Sequence, residues 1–164
     1  MGSVDSAENA RRGGDRPAPR DPFLDAAIAE ARAGLAEGGL PIGSVLVVGS
    51  EIIGRGRNRR VQLGSAVLHA EMDCLERAGR LRGSEYREAT LYSTLSPCDM
   101  CSGAVLLYSI PRVVVGENRS FRGPEDYLRS RGVAVTVVDD ADCSALMEQL
   151  IASRPELWNE DIGR

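Results

Sequence analysis

Ala89-Thr90-Leu91-Tyr92-Ser93-Thr94-Leu95-Ser96-Pro97-Cys98-Asp99-Met100-Cys101 is the stretch that decides the fold. Ala89 to Thr94 reads as a β-strand, and Asp99 to Leu107 reads as the helix that follows it. Arg112-Val113-Val114-Val115 returns as the next strand, and Val133 to Val138 is another, leading into a helix from Asp142 to about Ser153. Upstream, His69 to Arg80 has helical character, with Met72, Leu75 and Ala78 on one stripe. Ser44 to Val48 and Glu51 to Gly54 form a hairpin turned at Gly49-Ser50. Asp21-Pro22 resembles a helix start; Leu24, Ile28, Ala31 and Leu35 recur at helical spacing, and Gly38-Gly39 ends that helix. Five apolar strands alternate with helices and no internal repeat appears. This order predicts the α/β class: a three-layer α-β-α sandwich around a central mixed five-stranded sheet.

The bulk numbers agree with one domain. A length of 164 residues suits a single hydrophobic core, and 43% hydrophobic with 27% charged residues is ordinary globular composition. Residues 1–20 are rich in Gly, Pro and charge, so a disordered tail is expected there and a folded domain over 21–164. The net charge is −4, and all 20 basic residues are Arg. An acidic chain grips a phosphate backbone poorly, so nucleic acid is not an expected partner. The run Arg55-Gly56-Arg57-Asn58-Arg59-Arg60 reads as a solvated loop. No apolar run approaches the ~18 residues of a membrane span. The N-terminus lacks a signal-peptide core as well, so the expectation is a cytoplasmic protein without a membrane partner. Cysteines in that compartment argue for metal or catalysis before disulfides; Cys74 and Cys143 stand alone and read as buried core residues.

His69-Ala70-Glu71 and Pro97-Cys98-Asp99-Met100-Cys101 carry the chemistry. Cys98 and Cys101 fall on the first turn of one helix, where the helix dipole favours thiolates. Positions i and i+2 of a helix point about 200° apart, so His69 and Glu71 cannot both ligate one metal from inside it. With His69 at the helix entry, the imidazole can bind a metal while Glu71 leans over the neighbouring water. Two thiolates and one imidazole make three protein ligands, the count for a catalytic zinc, one per chain, with one open position. Zn²⁺ with two thiolates and a neutral His sums to zero charge, which leaves its water less acidic than three imidazoles would. A general base is then needed, and Glu71 is the candidate. The order H-x-E then P-C-x-x-C is the known signature of zinc nucleobase deaminases.

On these residues the chain resembles the cytidine-deaminase superfamily, and is most similar to fungal-type cytosine deaminases. The likeness runs from about residue 21 to the C-terminus. It includes Gly38-Gly39-Leu40-Pro41-Ile42-Gly43, Leu95 to Ala104, Val115-Gly116-Glu117-Asn118 and Arg154 to Gly163. The resemblance implies a homodimer acting on a small free base, most directly cytosine, with release of ammonia. It implies that Asn58 hydrogen-bonds the ring, that the Ala70 backbone N–H contacts the ring carbonyl, and that Asp161 holds the departing amino group. Phe121 and Trp158 wall the pocket in that picture, and Ile42, Leu95 and Ser96 complete it. Apart from the resemblance, the place of Trp158 to Asp161 near the chain end and its Trp lead us to expect that this segment acts as a lid. Spacing alone reads Asn58 as a turn residue and Asp161 as a frayed terminus. The chain departs from the family at Ala70 (usually Gly), Val61 (usually aromatic) and Asn159 (usually Phe). The last two imply a looser pocket and open a second expectation: substituted cytosines, aminotriazines or other amino-heterocycles as substrates.

Overall fold

The computed structural model describes residues 18–164. The tail expected over 1–20 lies mostly outside the described residues, but Arg20 is held, its guanidinium meeting Asp25, Asp140 and Asp142 at 2.8–2.9 Å.

Helix α1 (Pro22–Ala36) starts where Asp-Pro predicts: the Asp21 carboxylate accepts from the Phe23 N–H at 2.9 Å, and Pro22 occupies a position whose N–H would have no helical partner. Strands β1 (Gly43–Val48) and β2 (Glu51–Arg57) form the expected antiparallel hairpin. A short α2 (Arg60–Leu63) leads to α3 (Ala70–Ala78), and α4 (Gly83–Glu88) precedes β3 (Ala89–Leu95). Then come α5 (Asp99–Leu107), β4 (Arg112–Glu117), α6 (Glu125–Ser130), β5 (Ala134–Val137), α7 (Ala141–Ser153) and α8 (Pro155–Asp161).

The five strands form one mixed sheet in the order β2-β1-β3-β4-β5. β1 is antiparallel to β2 and β3, whereas β3, β4 and β5 run parallel. Side chains alternate between the two faces, as a pleated strand requires. Val45, Val47 and Tyr92 pack with Leu24, Ile28 and Cys143 beneath α1 and α7. Leu46, Leu91, Val113 and Val115 pack with Cys74, Leu75, Ala104 and Val105 beneath α3 and α5. The three-layer sandwich expected from the sequence is therefore present, and Cys74 and Cys143 are core residues at 0% and 1% exposure.

Two expectations need correction. The helices α2, α4, α6 and α8 are four to seven residues long, too short for periodicity to declare them. The run Arg55–Arg60 is no solvated loop: its first three residues belong to β2, and the cations after Arg55 find carboxylates. Arg57 meets Glu30 of α1 and Glu37 at its C-cap, Arg59 meets Asp73 of α3, and Arg60 meets Asp161 of α8. Each acid lies far along the chain or one helix away, so the sequence shows the charges without their partners.

Gly56 explains how the second layer reaches the sheet. A Cβ there would overlap the Cys74 backbone nitrogen and the Ala70 carbonyl oxygen, so the first turn of α3 rests directly on β2. That contact sets the height of Glu71 above the sheet.

Candidate active site

Two helix starts converge at the C-terminal end of β3. His69 is the N-cap of α3, with φ −60° and ψ 163°, and Cys98 is the N-cap of α5, with φ −69° and ψ 178°. Because His69 is extended rather than helical, it escapes the roughly 200° turn that would separate it from Glu71 inside a helix. Both side chains then face one point, as the i and i+2 argument requires. Pro97 cannot donate a backbone hydrogen bond, and the chain leaves β3 there before α5 begins.

The ligand atoms have the spacing a tetrahedral zinc demands. His69 Nδ1 lies 3.4 Å from Cys98 Sγ and 3.8 Å from Cys101 Sγ, and the two sulfurs are 3.7 Å apart. Zinc bonds of ~2.0 Å to nitrogen and ~2.3 Å to sulfur give tetrahedral edges of about 3.5 and 3.8 Å. These three residues are the cluster among the described residues whose geometry fits a metal ion. The Cys98 thiol is held down at about 4, first by the Cys101 hydrogen bond and then, against burial, by His69. The same bond and burial push the Cys101 thiol up. A coordinating metal overrides that, since coordination deprotonates a thiol outright.

Glu71 is 4% exposed. Ser93 Oγ donates to its Oε1 at 3.0 Å, while Oε2 lies 3.3 Å from Cys101 Sγ at the edge of the metal cage. Burial pushes the Glu71 carboxyl up, opposed by His69 and by Ser93. An upward shift makes the carboxylate a stronger base toward a neighbouring proton.

A cavity of about 300 Å³, mouth included, opens from this cluster. It is lined by Ile42, His69, Ala70, Glu71, Leu95, Ser96, Cys98, Phe121, Trp158, Asp161 and Ile162. The Phe121 and Trp158 rings meet edge-on, with centroids 6.3 Å apart. Ser96 lines the wall with its hydroxyl engaged: Oγ donates to Glu125 at 2.8 Å and accepts from the Gly123 N–H at 3.0 Å. Asn58 is fully buried and is not part of the cavity wall; its Nδ2 donates to Asp161 Oδ1 at 3.0 Å. Asp161 is 7% exposed, not a frayed terminus. Ile162, Ser93 and Arg60 are site residues that the sequence reading did not single out. Ser93 carries a faint signal, a small polar residue in an otherwise apolar strand.

The sequence matches the model of the cytidine and deoxycytidylate deaminase zinc-binding region over residues 19–117. This chain belongs to that family. A cytosine deaminase of Candida albicans is 48% identical over 141 residues, spanning 85% of this chain and 94% of its own length. A tRNA-specific adenosine deaminase of Streptococcus pyogenes is 41% identical over 105 residues, 63% of this chain and 66% of its own. Among solved structures, one from a study of tRNA:A34 deaminases superposes with a TM-score of 0.65 at 27% identity, covering 77% of this chain and 99% of that one. As a member of the deaminase family the chain is a zinc-dependent hydrolase of carbon–nitrogen bonds, with His69, Cys98 and Cys101 placed to hold the metal.

Proposed function

We propose that the chain hydrolyses free cytosine to uracil and ammonia. The observation that carries this reading is the walled cavity that Glu71, the metal ligands His69 and Cys98, and Asp161 line together. The Candida cytosine deaminase, matched over nearly its whole length, supports the same substrate. Held by His69, Cys98 and Cys101, zinc would supply Lewis acidity that lowers the pKa of water at its open position. Glu71 takes one proton from the attacking water as its oxygen bonds to the amino-bearing carbon and delivers it to the adjacent ring nitrogen. It then moves the second proton, from the new hydroxyl, to the leaving amine as the carbon–nitrogen bond breaks. The Ala70 N–H, at the positive start of α3, binds the ring carbonyl, and Asp161 accepts from the amino group. Asn58, buried behind the wall, aims Asp161 and does not face the ring itself. Phe121 and Trp158 wall the cavity against water. Zinc-loaded protein should release one ammonia per cytosine consumed; no release from cytosine in the face of turnover on another base would overturn this choice.

The looser pocket expected from Val61 and Asn159 is not favoured. Neither residue lines the cavity, Val61 is 43% exposed and Asn159 is exposed too. Plain cytosine is therefore preferred here to substituted cytosines, aminotriazines and other amino-heterocycles. A tRNA substrate also fits less well: the Arg side chains after Arg55 in the basic run are already paired with acids, leaving little charge for a phosphate backbone.

The working unit we propose is a cytoplasmic homodimer. Leu107 and Tyr108, at the end of α5, are 74% and 40% exposed. They border a groove lined by Met72, Leu75, Leu81, Glu76, Arg80 and Arg87, with apolar side chains and both signs of charge. Such a surface suits its own two-fold copy. None of the four cysteines is in a disulfide, in keeping with a reducing compartment. Among the described residues no helix is long and apolar enough to cross a membrane. Sedimentation of the wild type should give twice the chain mass, and Leu107→Glu should give the single mass.

A further inference from the structure

Arg60 opens α2 two residues after Asn58 and has no part in the chemistry described so far. Its guanidinium nevertheless reaches across to the C-terminal helix. Nη1 donates to Asp161 Oδ1 at 3.0 Å and approaches the Glu160 carbonyl at 3.4 Å. Its backbone N–H donates to Asn58 Oδ1 at 3.1 Å, which turns the Asn58 amide so that Nδ2 points at the same Asp161 oxygen. His69 Nε2 stands 3.7 Å from that oxygen as well. Every described donor thus converges on Oδ1, and none donates to Oδ2.

The arrangement carries a cost. Arg60 Nε is buried without a partner, and the Arg60 side chain is only 20% exposed. A surface arginine free to choose would turn that N–H to water. Here the fork is held so that one arm reaches a carboxylate in the cavity wall.

We propose that Arg60 is a positioning residue for the leaving amino group. Together with Asn58 it saturates one oxygen of Asp161, fixing the carboxylate plane so that the other oxygen accepts from the amino group of the substrate. The proposal rests on the deaminase reading above. It assigns Arg60 an effect on the amino group alone, since the other ring contacts come from Ala70, Phe121 and Trp158.

The test compares cytosine with pyrimidin-2-one, the same ring carrying hydrogen in place of the amino group. Arg60→Met should lower kcat/KM for cytosine roughly 10- to 100-fold, the loss expected for misplacing one charged hydrogen bond. Inhibition by pyrimidin-2-one should shift by less than about threefold in the same variant. Arg60→Lys should recover part of the activity, since it restores the charge without the fork. A second readout needs no substrate. Arg60→Met leaves a buried carboxylate unpaired and should lower Tm by roughly 4–10 °C, and adding Asp161→Asn should return part of that loss. Equal weakening of cytosine and pyrimidin-2-one would overturn the proposal, as would Tm losses that simply add. If the wild type releases no ammonia from cytosine, the functional reading fails, and the Tm cycle alone then judges the Arg60–Asp161 pair.

Discussion

Ser93 Oγ donates to Glu71 Oε1 at 3.0 Å, joining the third strand of the sheet to the first turn of α3 across 22 residues. The Glu71 carboxylate is therefore tethered by one oxygen, and the other is turned to the metal cage 3.3 Å from Cys101 Sγ. Geometry of this kind separates proton transfer from metal binding, so the two can be removed independently.

Glu71→Gln should retain zinc and fold while kcat falls by roughly 10³-fold, in the range for a lost general acid–base. Ser93→Ala should keep the carboxylate but lose its tether, with a smaller loss of roughly 5- to 20-fold. Ammonia release, read beside zinc content and circular dichroism, checks both. Substantial turnover in Glu71→Gln would remove Glu71 from the mechanism.

Metal removal should cost stability as well as activity. The three ligands come from two helix starts, so a bound ion ties α3 to α5 and its binding energy adds to folding. Dialysis against a chelator should lower Tm and abolish ammonia release, and added zinc should restore both. Cys98→Ser and Cys101→Ser should each weaken zinc by more than about 100-fold, beyond the loss typical of an outer-shell change.

Gly56→Ala should damage catalysis from a distance. Its new methyl meets backbone of α3 at Cys74 and Ala70, which no rotamer change can relieve. A stability loss of about 1–3 kcal/mol is expected from overpacking, with a further fall in kcat because Glu71 rides on the displaced turn. Chemical denaturation and steady-state rates measure the two separately; unchanged values in both would show that α3 has room to move.

Asp73 is a structural acid. Its buried carboxylate accepts from the Arg57 N–H at 3.1 Å, from Arg59 at 2.7 Å and from Arg77 at 3.2 Å. Asp73→Ala should cost about 2–4 kcal/mol in denaturant melts, below the value for a fully buried pair because both arginines keep some water contact. The active site should be little altered at temperatures where the variant stays folded.

The C-terminal helix has the placement of a gate. Trp158, the single tryptophan, is 5% exposed against Phe121, while Arg154 pins the start of α8 to the Gly38 and Gly39 carbonyls at 3.0 and 3.2 Å. With the near end pinned, movement of Trp158 to Asp161 should limit product release. Rapid mixing should then show a fast first turnover ahead of the steady rate, and a linear start from zero time would reject the gate.

Local chemistry was legible in the chain alone. The strand from Ala89, the Pro97-Cys98-x-x-Cys101 helix start and His69-Ala70-Glu71 impose the layered α/β fold and the metal cage, because periodicity and ligand spacing are short-range properties. The i and i+2 argument even anticipated His69 outside the helix and Glu71 within it. The tertiary structure decided what surrounds the cage. Asn58 meets Asp161 over a separation of 103 residues, Arg60 meets it over 101, and Ser93 reaches Glu71 from another layer. A buried carboxylate and a frayed terminal one are the same letter in a sequence. Which of them Asp161 is depends on α8 folding back over the sheet, a packing energy spread over Leu40, Met147, Leu150 and Trp158. No single residue carries that energy, so no motif announces it.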